Sequence, residues 1–574
     1  MNGNTNEDNQ LLLDRVASGQ LTRRGLLGGA MAAALLAACR SIPNGDHAVA
    51  AGDNQARNRA RRQASYDYVV VGAGASGSVI AGALARSGAE VLVLESGGVD
   101  TAPTIANPSI WFYNVGSPLD WSLALAPTPQ TDHRTIKMAL GRVVGGGSSI
   151  NAMVWARGMA RDYDGWARNG ASGWAFSDVL PMFKSQEDWE AGANEWRGAG
   201  GPIHIRRPAD PHPTAPVFLE AARQMGFPIL DDVNGPMRAG AGYINMNIAA
   251  DGSRVSASRA FLRPNLDRPN LTLLPNTDVT RVVFEGDRAV GVVIATPQGV
   301  QTIRARREVI LSAGTIHSAK LLMLSGIGDA DELSRLGIAP VANLRGVGHN
   351  LQDHVLVSGV VYKYKGKMPD RPADSDAVEA EIYLSSGVSD HPTDINLVLE
   401  QLPIATPEAA ARFGAPPAEG FTIAPVLVQP TSRGRVRLAS PNWRTAPIIE
   451  ANHLGTDHDL AAIVRAIEVA RELGTQRAFD GVREAEVIPG PGVTSRADLE
   501  ALARAAAGSF GHAVGTAKIG SDPDAVVDSE LRVHGVRGLR VADASVMPTI
   551  PSGPTNAPAI MIGGRAAELI LRGN

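Results

Sequence analysis

Cysteine is all but missing: Cys39 is the only one in 574 residues. Downstream of it there can be no disulfide, no thiolate metal site and no thiol nucleophile. An excess of one charge is missing too. Lys and Arg number 54 against 58 Asp and Glu, a formal net charge of −4, and no run of basic residues follows residue 64. Nucleic acid is therefore not an expected partner. A membrane-spanning run is also lacking. The longest apolar stretch near the start, Leu26 to Ala38, falls short of the ~20 residues that a span needs. There is no internal repeat and no low-complexity tract. What the chain has in plenty is Gly (62) and Pro (37), as suits many turns and close backbone approaches.

The short apolar run has a context of its own. It follows Thr22-Arg23-Arg24-Gly25-Leu26-Leu27 and ends in Leu36-Ala37-Ala38-Cys39. Paired arginines before a short h-region are the pattern of a twin-arginine export signal, and a cysteine at its end is the pattern of lipid attachment. Ala48-Val49-Ala50 offers a second, small-x-small exit. The expectation is a signal over 1–39 and a polar linker over 40–64. The protein is then exported, periplasmic or held as a lipoprotein on the outer side of the inner membrane or on the outer membrane, with peripheral attachment through a lipidated Cys39. About 510 residues remain after the linker, too many for one core, so two domains or interleaved lobes are expected.

The first of these residues carry the clearest local signal. Tyr66-Asp67-Tyr68-Val69-Val70-Val71 reads as a buried parallel strand. Gly72-Ala73-Gly74-Ala75-Ser76-Gly77 follows at once, then a stretch from Ser78 to Arg86 with helical character, then a second apolar strand, Val91 to Leu94, ending on Glu95. In that order the glycines serve a turn (Gly72), approach to a pyrophosphate (Gly74) and close helix packing (Gly77). The helix N-terminus offers N–H groups to phosphate, and Glu95 can accept from a ribose diol. This is a dinucleotide site, and the motif by itself does not separate FAD from NAD.

Two longer motifs go further. Gly141-Arg142-Val143-Val144-Gly145-Gly146-Gly147-Ser148-Ser149-Ile150-Asn151 and Ser312-Ala313-Gly314-Thr315-Ile316-His317-Ser318, the latter running on to Gly328, resemble the two signatures of the glucose-methanol-choline family of FAD oxidoreductases. Gly346-Val347-Gly348-His349-Asn350-Leu351-Gln352-Asp353-His354 follows in the family's order. The resemblance runs from about Tyr66 to Leu571. It implies a doubly wound, Rossmann-like α/β FAD domain, discontinuous in sequence (65–206, 248–350 and 508–574), and an α+β substrate domain built on an antiparallel sheet (207–247 and 351–507). It implies FAD contacts at Gly72, Gly74, Ser76, Gly77, Glu95, Ser96, Val144, Gly147, Asn151, Val279, Ala313, Asp543 and Ala544, and no metal. Some members bind FAD covalently through a histidine in the first signature loop. Ile150 stands at that position here and cannot form the bond, so the flavin is expected to be noncovalent. For Asp543 a turn-cap role is the competing reading.

In Gly511-His512-Ala513-Val514-Gly515, His512 lines up with the family's active-site histidine. An imidazole suits the removal of a hydroxyl proton as hydride leaves the same carbon. His317, His349 and His354 lack the flanking pattern, and His354 is expected to support the flavin loop. The family's second active-site position falls on Pro554, in Pro551-Ser552-Gly553-Pro554-Thr555-Asn556, and proline has no side-chain donor or acceptor. Either Asn556 takes that role, or His512 works with a water, or the reaction differs. Trp111, Phe112 and Trp121 are candidates for the entrance. The resemblance implies hydride transfer from a small-molecule alcohol to flavin N5, and the Arg23-Arg24 signal with Cys39, which would set the enzyme beside a respiratory chain, makes a quinone or cytochrome the expected onward acceptor. The alternative is a hydroxynitrile-lyase-type member with a redox-silent flavin. The family's light-driven decarboxylases need an active-site cysteine that is absent here.

Overall fold

The β-branched run after Tyr66 lies in β1 (Ser65–Val71), whose last four side chains are all buried. A strand apolar on both faces belongs inside a parallel sheet, and β1 is flanked in parallel by β2 (Val91–Leu94) and by the second half of β7 (Gly299–Leu311). The structure is a computed structural model that describes residues 64–236 and 239–573. The expected signal over 1–39 and all of the linker before Ala64 lie outside the described residues.

The parallel sheet runs on from β2 to β4 (Leu271–Leu274) and gains β15 (Leu539–Val541) on the far side of β7, at Val309 to Leu311. The other half of β7 alternates exposed and buried residues and closes an antiparallel meander with β5 (Val279–Glu285) and β6 (Arg288–Thr296). Between β1 and β2 runs α1 (Ala75–Arg86). It packs against α5 (Asn556–Arg572), where a Cβ on Gly563 would come within 2.7 Å of the Ser76 carbonyl oxygen.

The second sheet is antiparallel throughout. Its order is β13 (Arg483–Ile488), β9 (Val361–Tyr364), β12 (Gly420–Leu427), β11 (Ile395–Glu400), β10 (Val378–Leu384) and β3 (Gly240–Tyr243), with β8 (Val355–Val357) joining β12 to β14 (Ala507–Ser509). Period-two alternation divides its faces. Ile395, Leu397 and Leu399 share a core with α3 (Thr214–Gln224) and α4 (Asp457–Thr475). Val398 faces the other way, with Val426, Met153, Trp111 and Phe510. A doubly wound dinucleotide-binding domain with an antiparallel-sheet domain is the fold class expected from the sequence.

Candidate active site

Two glycines explain how segments far apart in sequence meet at one place. Gly72 turns the chain at φ +99°, and a Cβ there would lie 2.4 Å from the Ser312 carbonyl oxygen. Gly146 has φ +55°, and a Cβ would lie 2.8 Å from the Gly74 Cα. Only glycine permits both the conformation and the approach. The first turn and both signatures are thereby drawn around one cradle. Gly74 is the N-cap of α1 and supplies no side-chain cap, so Ser76 and Gly77 sit in a first turn whose N–H groups face no capping side chain and can serve phosphate. The Ser76 hydroxyl itself donates to the Ala559 carbonyl (2.6 Å).

Glu95, at the tip of β2, accepts N–H bonds from Ala73 (3.0 Å) and Gly97 (2.8 Å). Burial nevertheless pushes its carboxyl up to about 7. Ser96 bonds the Asp278 carboxylate, next to Val279 at the start of β5. The Val144 N–H donates to the Gly98 carbonyl (2.9 Å), and open space surrounds the point where a Gly147 Cβ would be. The Asn151 Oδ1 accepts from the Met153 N–H (3.1 Å) and from Arg254 Nη1 (2.6 Å). Arg254 is a buried cation that sequence reasoning missed. The Ala313 N–H donates to Ser318 Oγ (3.1 Å). Asp543 accepts from the Gly314 N–H (2.9 Å), Ser318 Oγ (2.5 Å) and Ser545 N–H (2.8 Å). It is thus a turn cap and also a tie to the second signature. The Ala544 carbonyl accepts the Gly515 N–H (3.3 Å), joining this strip to the histidine loop. Asn556 opens α5, and its Nδ2 is buried without a partner. A dinucleotide fits these groups: glycine-only walls, α1 N–H groups, an acid at a strand tip and an unsatisfied buried amide.

His512 lies against His354, Nδ1 to Nδ1 at 2.9 Å, and His354 Nε2 lies 3.1 Å from the Pro551 carbonyl. A carbonyl can only accept, so Nε2 of His354 carries the hydrogen. Burial holds His354 down to about 3, so the ring is neutral and its Nδ1 accepts. His512 Nδ1 is then the donor, and its Nε2 is left with a lone pair. Burial also lowers His512, to about 4, against the opposing charge of Asp353. Asp353 accepts the His512 main-chain N–H (2.9 Å), Ser509 Oγ (2.6 Å) and His453 Nε2 (3.1 Å). His354 therefore supports His512, a contact beyond its expected support of the flavin loop and not foreseen from the sequence. The Phe510 ring covers His512 at 4.6 Å between centroids and leads to the apolar face of the second sheet. Trp111 lies on that face and donates from Nε1 to the Asp376 carbonyl (2.7 Å). Trp121 stacks on His317 instead (4.3 Å).

The chain matches the GMC oxidoreductase family over residues 66–356 and again over 430–563, and it belongs to that family of FAD-dependent alcohol dehydrogenases and oxidases. The oxygen-dependent choline dehydrogenase of Brucella anthropi is 38% identical over 525 residues, 88% of this chain and 95% of that protein. The mitochondrial choline dehydrogenase of Homo sapiens is 37% identical over 570 residues, 94% of each. The crystal structure of pyridoxine 4-oxidase from Mesorbium loti superposes with a TM-score of 0.84 at 32% identity, covering 88% of this chain and 99% of that one.

Proposed function

We propose that this enzyme oxidises the CH–OH group of a small-molecule alcohol with His512 as the base, around FAD held without a covalent bond. The reading rests on one observation, the run of contacts from the Pro551 carbonyl through His354 to His512, from which the tautomer of His512 follows. FAD, when bound, supplies the two-electron acceptor for the carbinol hydrogen. The alcohol hydroxyl donates to the free Nε2 of His512, and that nitrogen takes the proton as the C–H bond breaks. The buried charge of Asp353 favours the imidazolium that forms. Phe510 covers the ring and Trp111 shares the apolar face beyond it, an arrangement that excludes water and holds a substrate of mixed polarity. Gly72, Gly74, Ser76, Gly77, Glu95, Ser96, Val144, Gly147, Asn151, Val279, Ala313, Asp543 and Ala544 hold the cofactor in this reading. Ile150 offers no nucleophile to tether it. Arg23-Arg24 and Cys39 support export and lipid attachment, and with them a quinone or cytochrome rather than oxygen as the electron acceptor.

Stopped-flow reduction of the holoenzyme by its best alcohol tests the base. His512→Ala is expected to keep its FAD and its visible spectrum and to lose at least ~10²-fold in the reduction rate constant. Reduction at the normal rate would falsify the assignment. Pro554 favours a second reading, a lyase of the hydroxynitrile type, because it leaves the second position without a polar side chain. Anaerobic bleaching of the flavin by any member of a panel that includes choline, pyridoxine and aryl alcohols would exclude a redox-silent flavin.

A further inference from the structure

Asp162 lies eleven residues after Asn151, in the first turn of α2 (Ala160–Arg168), and no part of the mechanism above uses it. It is buried. Its Oδ2 accepts the Met159 N–H (2.8 Å), which closes the start of its own helix, and also the Ser552 N–H (2.7 Å), from 390 residues away. Its Oδ1 accepts Ser552 Oγ (3.1 Å). Gln429 Nε2 adds bonds to Ser552 Oγ (2.9 Å) and to the Ile550 carbonyl (3.1 Å). Packing here is tight: a Cβ on Gly158 would lie 2.9 Å from both Asp162 Oδ2 and Pro551 Cβ.

The N–H of Ser552 and the C=O of Pro551 are two ends of one peptide group. The nitrogen end donates to Asp162, and the oxygen end accepts from His354 Nε2 at 3.1 Å, as well as from the Gly553 N–H at 2.8 Å. A carboxylate pulling on the N–H draws electron density toward the carbonyl oxygen, which strengthens it as an acceptor. The same polarisation passes through His354 Nδ1 to His512 Nδ1, 2.9 Å away.

We propose that Asp162 is a positioning residue for the reaction, acting through the Pro551–Ser552 peptide and His354 to hold the tautomer of His512 and raise the basicity of its Nε2. No bond is made or broken at Asp162. The inference rests on His512 being the base. Burial raises the carboxyl to about 6, against hydrogen bonds from Ser552 and Met159 and the charge of Arg161. The groups that face it are Arg161 and Tyr163 on its own helix and His391, 4.0 Å from Oδ1, in the loop between β10 and β11. The segments around Ile550 to Pro554 and at Gln429 bring no titratable side chain. Protonation of Asp162 removes the charge that polarises the peptide, so flavin reduction is expected to have an acid limb that belongs to this residue.

Asp162→Asn keeps the shape and removes the charge. The holoenzyme variant is expected to keep its FAD and its substrate dissociation constant within about twofold, to lose roughly tenfold or more in the limiting rate of flavin reduction at pH 8, and to lose the acid limb. Arg161→Gln, on the exposed side of α2, keeps Asp162 and removes the cation that favours its charged form, so the acid limb should move to higher pH. This second variant covers the case in which Asp162→Asn does not fold. A wild-type rate and profile for Asp162→Asn, or an acid limb unmoved by Arg161→Gln, overturns the proposal. His512→Ala run alongside separates the two readings: if it reduces normally the base is wrong, and if it is slow while Asp162→Asn is normal, only Asp162 is.

Discussion

Glu95 already receives two N–H bonds and is still held up to about 7, because burial outweighs them. Ribose hydroxyls donating to it would favour the ionised form, so FAD binding must lower its pKa, and linkage then fixes the sign. FAD affinity should rise as pH increases toward about 7 and level off above it. Titration of apoprotein with FAD between pH 5.5 and 8.5, followed by tryptophan quenching, measures this. Glu95→Gln should flatten the curve. Glu95→Ala should weaken binding by ~1.5–3 kcal/mol, the value of a charge-assisted bond, without unfolding the protein. A wild-type affinity independent of pH would show that the ribose does not reach this carboxyl.

The cradle is an affair of loops pressed against each other, and its tolerance is small. A methyl on Gly146 meets the Gly74 Cα at 2.8 Å in a conformation that L side chains rarely adopt. Gly146→Ala is therefore expected to purify with little or no FAD even where circular dichroism shows folded protein. The loop before α5 poses the remaining question. Asn556→Ala, assayed by flavin reduction, decides whether that amide fills the second polar role: a loss of ~10²-fold assigns it, and a near-wild-type rate leaves His512 with water. The strand, the glycines, α1 and Glu95 were legible because they are contiguous, and their spacing carries their geometry. His512 was legible through its flanking pattern. The Asp162 contact was not, because it joins residues 390 positions apart, and locally Asp162 looks like an ordinary acid in a helix's first turn. His354 was expected to support the flavin loop, and its contact with His512 was not legible because it is set by β8 pairing with β14.

At the scale of the whole molecule, cofactor and chain are expected to separate on denaturation. Ile150 cannot bond to the isoalloxazine, so acid precipitation should release all of the yellow colour to the supernatant, and colour kept in the pellet would overturn the noncovalent assignment. The cradle also has a history that follows from its contacts. Gly72 rests on Ser312, the Thr315 hydroxyl donates to the Ala513 carbonyl (2.6 Å), Ser76 donates to Ala559, and His354 leans on Pro551. Each pairing joins an early stretch to one made hundreds of residues later. A nascent chain that has made only the glycine turn and α1 has no wall opposite them, and α5, whose Ala559 accepts from Ser76, is made 483 residues later. Cofactor capture is thus expected only after α5 has been made, because until then one wall of the cradle is missing.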